Sequence, residues 1–223
     1  MAETMTASEM TDGQIENAVD KLRAAMRKHR SEISSGIAQQ VLGVENLGME
    51  MFTPFRKRAE AMRGPVFPVY LDIEVGGKSA NELLAEIKSA GTYVSDWARD
   101  IMAKSAWKPG EREQVKFARA KVRELGFTTR PTTAQIWTRI RELGHGHALC
   151  EPCDGPAIRL ALGDQPRSDY FWVAMEQITD SDGSPSVFYV GRRGDGERWL
   201  YAGWVYPDYG WYLDDEIVFR LRK

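Results

Sequence analysis

The C-terminal part of the sequence consists of short runs that are rich in aromatic and β-branched residues. More than half of the aromatic residues (7 Trp, 8 Tyr and 8 Phe in all) lie between Tyr170 and Phe219. Turn-forming pairs such as Asp182-Gly183 and Asp195-Gly196 separate the runs. This pattern is typical of strands joined by tight turns. It predicts an antiparallel β-sheet or a small open barrel, with strands in 168–178, 186–190, 199–206 and 215–221.

The composition is that of a globular protein with enough apolar residues for a sizeable core. The chain has 223 residues, of which 43% are hydrophobic and 28% charged, and its formal net charge is -2. This charge gives no general attraction to nucleic acid or acidic membranes. Only two cysteines are present, which favours a reducing compartment over a disulfide scaffold. With no signal-peptide pattern and no long apolar run, we expect a soluble cytoplasmic protein that has no contact with a membrane.

The N-terminal region predicts a loose tail over residues 1–11 and a helical segment over 12–63. Ile15, Val19, Leu22 and Met26 follow helical spacing, so they form one apolar stripe behind Asp12 as N-cap. A second helix is expected around 37–42, and a third over 45–62 that Pro54 kinks or splits. Helices with such narrow apolar faces often pair with another chain, which makes these three a candidate contact for a homo-oligomer.

The middle of the chain, residues 64–145, predicts one strand and several helices. The strand covers Val69–Val75, where polar and apolar residues alternate. Helical spacing and two capping boxes, at Ser79 and Thr132, predict the helices over 79–91, 93–102, 111–125 and 132–144. A further strand is expected over Ala157–Leu162.

Together these elements predict an α+β protein. It begins with a helical N-terminal segment, continues with helices in the middle, and ends with an aromatic-rich β module over 146–223. An alternative division of the chain joins residues 64–145 and 146–223 into one domain. Lys and Arg outnumber Asp and Glu between Gly76 and His145, and the reverse holds from Gly146 onward. This asymmetry suggests that the two segments face one another or that each meets its own partner. The alternative is that helices favour Lys and Arg whereas loops collect Asp.

His145, His147, Cys150 and Cys153 form the sharpest local cluster of metal-ligand residue types. Structural zinc sites usually place two ligand pairs on separate arms of the chain, and this spacing is too short for that. A redox role needs a helix N-terminus to lower a thiol pKa, and a strand is predicted to follow. The favoured interpretation is a loop with two ordinary thiols, with no metal and no cofactor.

The basic residues of 111–141 give a second hypothesis. Two basic helices joined through Gly126 are similar in outline to a helix-turn-helix, which would bind DNA or RNA. The connector from Gly126 to Pro131 is longer than the usual tight turn of that motif. Charged outer faces are also the ordinary state of amphipathic helices.

The last aromatic segment is the favoured ligand-binding surface. On a strand, Trp199 and Tyr201 share one face, whereas Trp204 and Tyr206 share the opposite face. A thin sheet does not easily bury both pairs, so one pair is expected to be structural and the other to contact a ligand. The alternative is that the protein's own helices and tail cover both faces. The predicted ligand-binding residues are Trp199, Tyr201, Trp204, Tyr206, Tyr209 and Trp211.

The motifs of the common enzyme classes do not occur in the sequence. It contains no Gly-rich phosphate loop, no Gly-x-Ser-x-Gly and no His-Glu-x-x-His. We therefore expect a non-catalytic binding protein with a protein or glycan ligand and no catalytic residues. Nucleic-acid binding through the basic helices at 111–141 is the second hypothesis, and a metal-dependent enzyme is the third.

Two stretches resemble uncharacterised bacterial proteins of the kind found in candidate-phyla genomes. The first runs from Gln14 to Ala61, with Gln39-Gln-Val-Leu-Gly and Phe55-Arg-Lys-Arg-Ala-Glu-Ala. The second includes Glu124-Leu-Gly-Phe, Cys150, Gly155-Pro156, Ile158-Arg-Leu, Asp164-Gln-Pro and Ile178-Thr-Asp-Ser-Asp-Gly. The resemblance covers about two thirds of the chain. It implies a bacterial origin but no activity, and the position of Cys153 is not typically cysteine in such proteins.

Overall fold

A computed structural model describes residues 9–62, 65–143 and 147–221. The chain divides into two compact units, Met1–Ala59 and Glu60–Lys223. The described residues form seven α-helices and one mixed sheet of eight strands. This confirms the predicted α+β class, with helices toward the N-terminus and aromatic strands toward the C-terminus. None of the described helices is both long enough and apolar enough to span a bilayer.

The first unit consists of helices α1 (Asp12–Lys28), α2 (Ser35–Leu42) and α3 (Leu47–Met62), the last of which extends past its boundary. The three predicted helices are confirmed, and Pro54 lies inside α3 without splitting it. The N-cap of α1 is Thr11, so the prediction of Asp12 was wrong. Thr11 and Gln14 form a reciprocal capping box, which satisfies two backbone N–H groups that Asp12 alone leaves open.

The second unit combines the strands with four helices. Its helices are α4 (Ala80–Ser89), α5 (Asp96–Ala103), α6 (Thr133–Glu142) and α7 (Asp154–Ala161). Its strands are β1 (Leu71–Val75), β2 (Tyr93–Val94), β3 (Glu113–Lys121), β4 (Asp169–Val173), β5 (Ile178–Thr179), β6 (Pro185–Arg192), β7 (Arg198–Trp204) and β8 (Glu216–Leu221).

The strand order is β1-β3-β8-β4-β6-β7-β2, and β5 pairs with β6. Neighbours are antiparallel except for the pairs β4/β8 and β2/β7. β4, β6 and β7 form the expected antiparallel meander. β8 leaves this meander and inserts between β4 and β3, so strands from the middle and the end of the chain share one sheet.

Two predicted helices contain strands instead. The expected helix 111–125 is β3 followed by a short 3-10 helix, Val122–Leu125. Its helical spacing was misleading because the buried Val115 and Phe117 flank the exposed Lys116, which is the period of a strand. The expected helix 93–102 begins with strand β2, and α5 starts only after Ser95, which caps it.

The expected strand Ala157–Leu162 was also wrong, because this segment belongs to helix α7. Pro156 lies in the first turn of α7, where the missing N–H of proline has no helical partner to lose. Gly155 lies where a β-carbon would come within 2.7 Å of the Phe188 ring. The helix therefore packs directly against the sheet at Phe188.

Candidate functional site

Five aromatic side chains form a continuous row across one face of the sheet. Their ring centroids are separated by 5.4 Å (Trp211 to Trp172), 4.5 Å (Trp172 to Tyr189), 5.4 Å (Tyr189 to Tyr201) and 5.6 Å (Tyr201 to Tyr93). We call these five residues the aromatic row. Solvent exposure changes along it, because Trp211 is 0% exposed and Tyr93 is 42% exposed. One end of the row is therefore core, and the other is surface.

The row lies on the face of the sheet opposite α7. Helix α7 packs on Phe188 through Gly155, and side chains alternate along a strand, so Tyr189 points away from that helix. The ladder pairs Trp172 with Tyr189 and Tyr189 with Tyr201, which places all three on the same face. α6 closes the buried end of the row, where Trp211 Nε1 donates to Thr133 Oγ1 at 2.9 Å.

Two glycines make room for these large rings. A β-carbon at Gly191 would lie 2.1 Å from Cζ2 of Trp199, so the indole occupies the space that any other residue needs. A β-carbon at Gly203 would lie 3.0 Å from Cη2 of Trp172 and 3.2 Å from Cε1 of Tyr189. The rings therefore rest against the backbone of β6 and β7, and this close packing fixes their positions.

The exposed end of the row carries polar groups. Arg193 donates from Nη2 to the Tyr201 hydroxyl at 2.7 Å and also pairs with Glu197 at 2.6 Å. Burial, and secondarily the nearby Tyr201, raises the pKa of the Tyr189 hydroxyl. Tyr189 is therefore neutral at physiological pH, and its hydroxyl can act as a hydrogen-bond donor.

The structure separates the six predicted site residues into two groups. Trp199, Tyr201 and Trp211 lie together on the face of the row, and Tyr209 joins them through a ring contact of 5.6 Å with Trp211. Trp204 and Tyr206 lie elsewhere, beside the turn between β5 and β6. Trp204 Nε1 donates to Asp180 at 3.0 Å, and the Tyr206 hydroxyl is 3.0 Å from that of Ser184.

Sequence reasoning missed three members of the row, Tyr93, Trp172 and Tyr189. Trp172 and Tyr189 were recognised as strand residues, but only the strand register places them beside Tyr201. Tyr93 was assigned to a helix. The signal that could have found it is Ser95, a strong N-cap that separates Tyr93 from the helix after it.

The histidine–cysteine cluster does not gather in the described structure. His147 packs against Phe67 and Phe219, with ring centroids 5.8 and 5.6 Å away. Cys150 Sγ donates to the Val218 carbonyl, and Cys153 precedes α7. Among the described residues, no three His, Cys, Asp or Glu side chains form a metal-binding group. His145 lies outside those residues, so the absence of a bound metal stays a prediction.

Although Cys153 does precede a helix, both thiols are poor nucleophiles. Burial is the main cause that raises the pKa of Cys153 to about 12, and it raises that of Cys150 well above its usual range; nearby Asp154 acts in the same direction. At pH 8 a thiol of pKa about 12 has a thiolate fraction on the order of 10⁻⁴.

We expect neither cysteine to react with Ellman's reagent at pH 8 within minutes while the protein is folded. Both should react after unfolding in guanidinium chloride, because unfolding restores an ordinary thiol pKa. The measurement is the absorbance of the released thiolate. If folded Cys150→Ser or Cys153→Ser releases the coloured thiolate within minutes, the remaining thiol of that variant is activated.

The basic segment 111–141 does not form a pair of basic helices. Its first half is strand β3, and most of its charges have acidic partners. The ion pairs are Arg112–Glu74, Lys116–Asp72, Arg119–Asp169, Lys121–Asp214, Arg123–Asp214 and Arg141–Glu176. Arg130 lies over the ring of Tyr212 at 4.1 Å, and Arg139 donates to the Leu125 carbonyl. The arrangement on which the nucleic-acid hypothesis depended is therefore missing.

Searches of protein-family models, curated proteins and solved structures found no match to this chain.

Proposed function

We propose that this is a non-catalytic binding protein whose second unit contacts another protein through the exposed end of the aromatic row, Tyr93, Tyr189 and Tyr201. The observation that carries the proposal is the gradient along the row, from fully buried Trp211 to exposed Tyr93. Tyr93 is exposed and Tyr201 and Tyr189 are half-buried, and ring contacts that continue into the core hold all three. Tyrosine held in this way supplies a large contact area and loses little conformational freedom on binding.

The arrangement of the rings favours a protein over a glycan. Tyr189 lies between Trp172 and Tyr201, with interplanar angles of 28° and 26°. Its two faces are therefore occupied by neighbours, and a sugar ring needs a free face on which to stack. The edges and hydroxyl groups remain, together with Arg193. Tyr, Trp and Arg are the residues most enriched at the energetic centres of protein interfaces.

Two further expectations belong to this proposal. A cytoplasmic location is supported by the two free, buried thiols. Self-association through the N-terminal helices is a separate property that does not depend on the aromatic row. A metal-dependent enzyme has no support among the described residues.

The test compares the proteins captured from an extract of the native cells by the immobilised wild type and by a Tyr93→Ala/Tyr201→Ala variant. A partner that uses the row should bind wild type and lose at least about 30-fold in affinity for the variant, since truncating one interface hot spot costs about 2 kcal/mol. Tyr212→Ala is the matched control, because Tyr212 is also exposed but lies outside the row.

Thermal melts of both variants establish that they are folded. A captured protein that binds all three forms equally would contradict the role of the row. If the wild type instead binds an array of immobilised glycans, and only the double variant loses this binding, the ligand is a glycan and not a protein.

A further inference from the structure

The apolar stripe of helix α1 is uncovered. Its four residues are 44% (Ile15), 42% (Val19), 42% (Leu22) and 54% (Met26) exposed, and no residue of α1 or α2 is buried. Phe52 and Phe55 of α3 line an open groove of about 560 Å³ together with Ile15, Val19 and Leu22 of the stripe. Scattered apolar residues are ordinary on a surface, whereas a continuous stripe marks an interface.

The charges along α1 indicate what fills this groove. Asp12, Glu16 and Asp20 give the first half of the helix a negative charge. The second half is positive through Lys21, Arg23, Arg27 and Lys28, and Arg30 follows directly. Two copies of this helix attract one another when they lie antiparallel, because the negative half of each then faces the positive half of the other. A parallel arrangement places like charges together.

The apolar spacing fits the same arrangement. Ile15 and Leu22 occupy one core position of a heptad, and Val19 and Met26 occupy the other. In an antiparallel pair related by a two-fold axis, Val19 of one copy meets Leu22 of the other, and Ile15 meets Met26. Asp12 then lies opposite His29. Each of the four apolar residues of the stripe therefore meets an apolar partner.

The residues that flank the stripe complete the match. Glu16 and Arg23 flank it on one side, about 10 Å apart along the helix at 1.5 Å per residue. The two-fold axis places Glu16 of each copy near Arg23 of the other, which gives two equivalent ion pairs. Ala18 and Ala25 flank the other side, and their small side chains allow the two helices to approach closely.

We propose that the N-terminal unit is a self-association element in which a second copy of this chain occupies the groove, with the two α1 helices antiparallel and Glu16 beside Arg23. An isologous contact of this kind closes on itself, so the product is a dimer and not a filament.

Sedimentation velocity on the full chain tests the proposal. Wild type is expected to sediment as a dimer, with twice the chain mass of 25.2 kDa. Glu16→Arg and Arg23→Glu each turn two attractions into two repulsions, so each variant alone should dissociate at least about tenfold more readily. Both positions are exposed, so these changes do not disturb a core, although Arg23→Glu also removes the exposed ion pair of Arg23 with Asp20 on the same helix.

Mixing the two variants gives the sharpest outcome. In a mixed pair, one chain is basic at both positions and the other is acidic at both, so each of the two contacts again joins opposite charges. An equimolar mixture should therefore recover a dimer as stable as that of the wild type, about tenfold tighter than the dimer of either variant alone. Lys21→Glu is the matched control, since position 21 lies away from the stripe and its reversal should weaken the dimer much less than either flanking reversal. A monomeric wild type would overturn the proposal. So would a dimer insensitive to both reversals, or a mixture that stays monomeric.

Discussion

Trp211→Ala is expected to lower the free energy of unfolding of the second unit by about 3–5 kcal/mol, whereas Trp204→Ala should lower it by only about 1–2 kcal/mol. Trp211 is 0% exposed and contacts Trp172 and Trp137 at 5.4 and 6.0 Å. Its removal leaves a cavity and an unpaired Thr133 hydroxyl. Trp204 is 52% exposed, so the same chemical change opens little space, and the main loss is its hydrogen bond to Asp180.

The measurement is equilibrium unfolding in guanidinium chloride, followed by near-ultraviolet circular dichroism. The two substitutions remove the same side chain from the same unit, so each serves as a control for the other. Equal losses at the two positions would mean that Trp204 is also core. A small loss at Trp211 would mean that the buried end of the row does not anchor the exposed end.

Arg220→Met is expected to cost about 3–5 kcal/mol at pH 7, because it leaves a buried charge without its partner. Arg220 donates to both carboxylate oxygens of Asp154, at 2.6 and 2.8 Å, and the Asp154 side chain is 0% exposed. The same guanidinium group reaches Glu113 at 2.7 Å. Arg112→Met is the matched control, since the Arg112–Glu74 pair is exposed and exposed ion pairs contribute little to stability.

The loss at Arg220 should become smaller as the pH falls. Burial already raises the pKa of Asp154, and Arg220 acts in the opposite direction. Removing Arg220 raises this pKa further, so the folded variant takes up a proton more readily than the unfolded chain. A group of this kind stabilises the folded state at low pH and loses that effect as the pH rises through its folded pKa. The difference between wild type and variant should therefore be smaller at pH 5 than at pH 7.

Features determined by neighbouring residues could be predicted from the sequence. The capping boxes at Ser79 and Thr132 each involve residues three positions apart, and both are present. The stripe of α1 depends on helical spacing alone. The aromatic strands could be recognised because their residue types and turn pairs are both local signals.

Features that depend on distant pairing could not be predicted. β3 contains alanines that suit either a helix or a strand, and its position between β1 and β8 decides the outcome. β2 is only two residues long, and its extended conformation is stabilised by parallel pairing with β7. Tyr93 belongs to the aromatic row for that reason, because the site is assembled by strand register, which a single sequence does not specify.

The central position of β8 has a consequence for synthesis on the ribosome. Every other strand of the sheet emerges earlier, yet β1 and β3 can join β4, β6 and β7 only through β8. Until Glu216–Leu221 leaves the exit tunnel, β3 and β4 each have an unpaired edge in the nascent chain. Folding of this unit is therefore completed only after its last strand is translated.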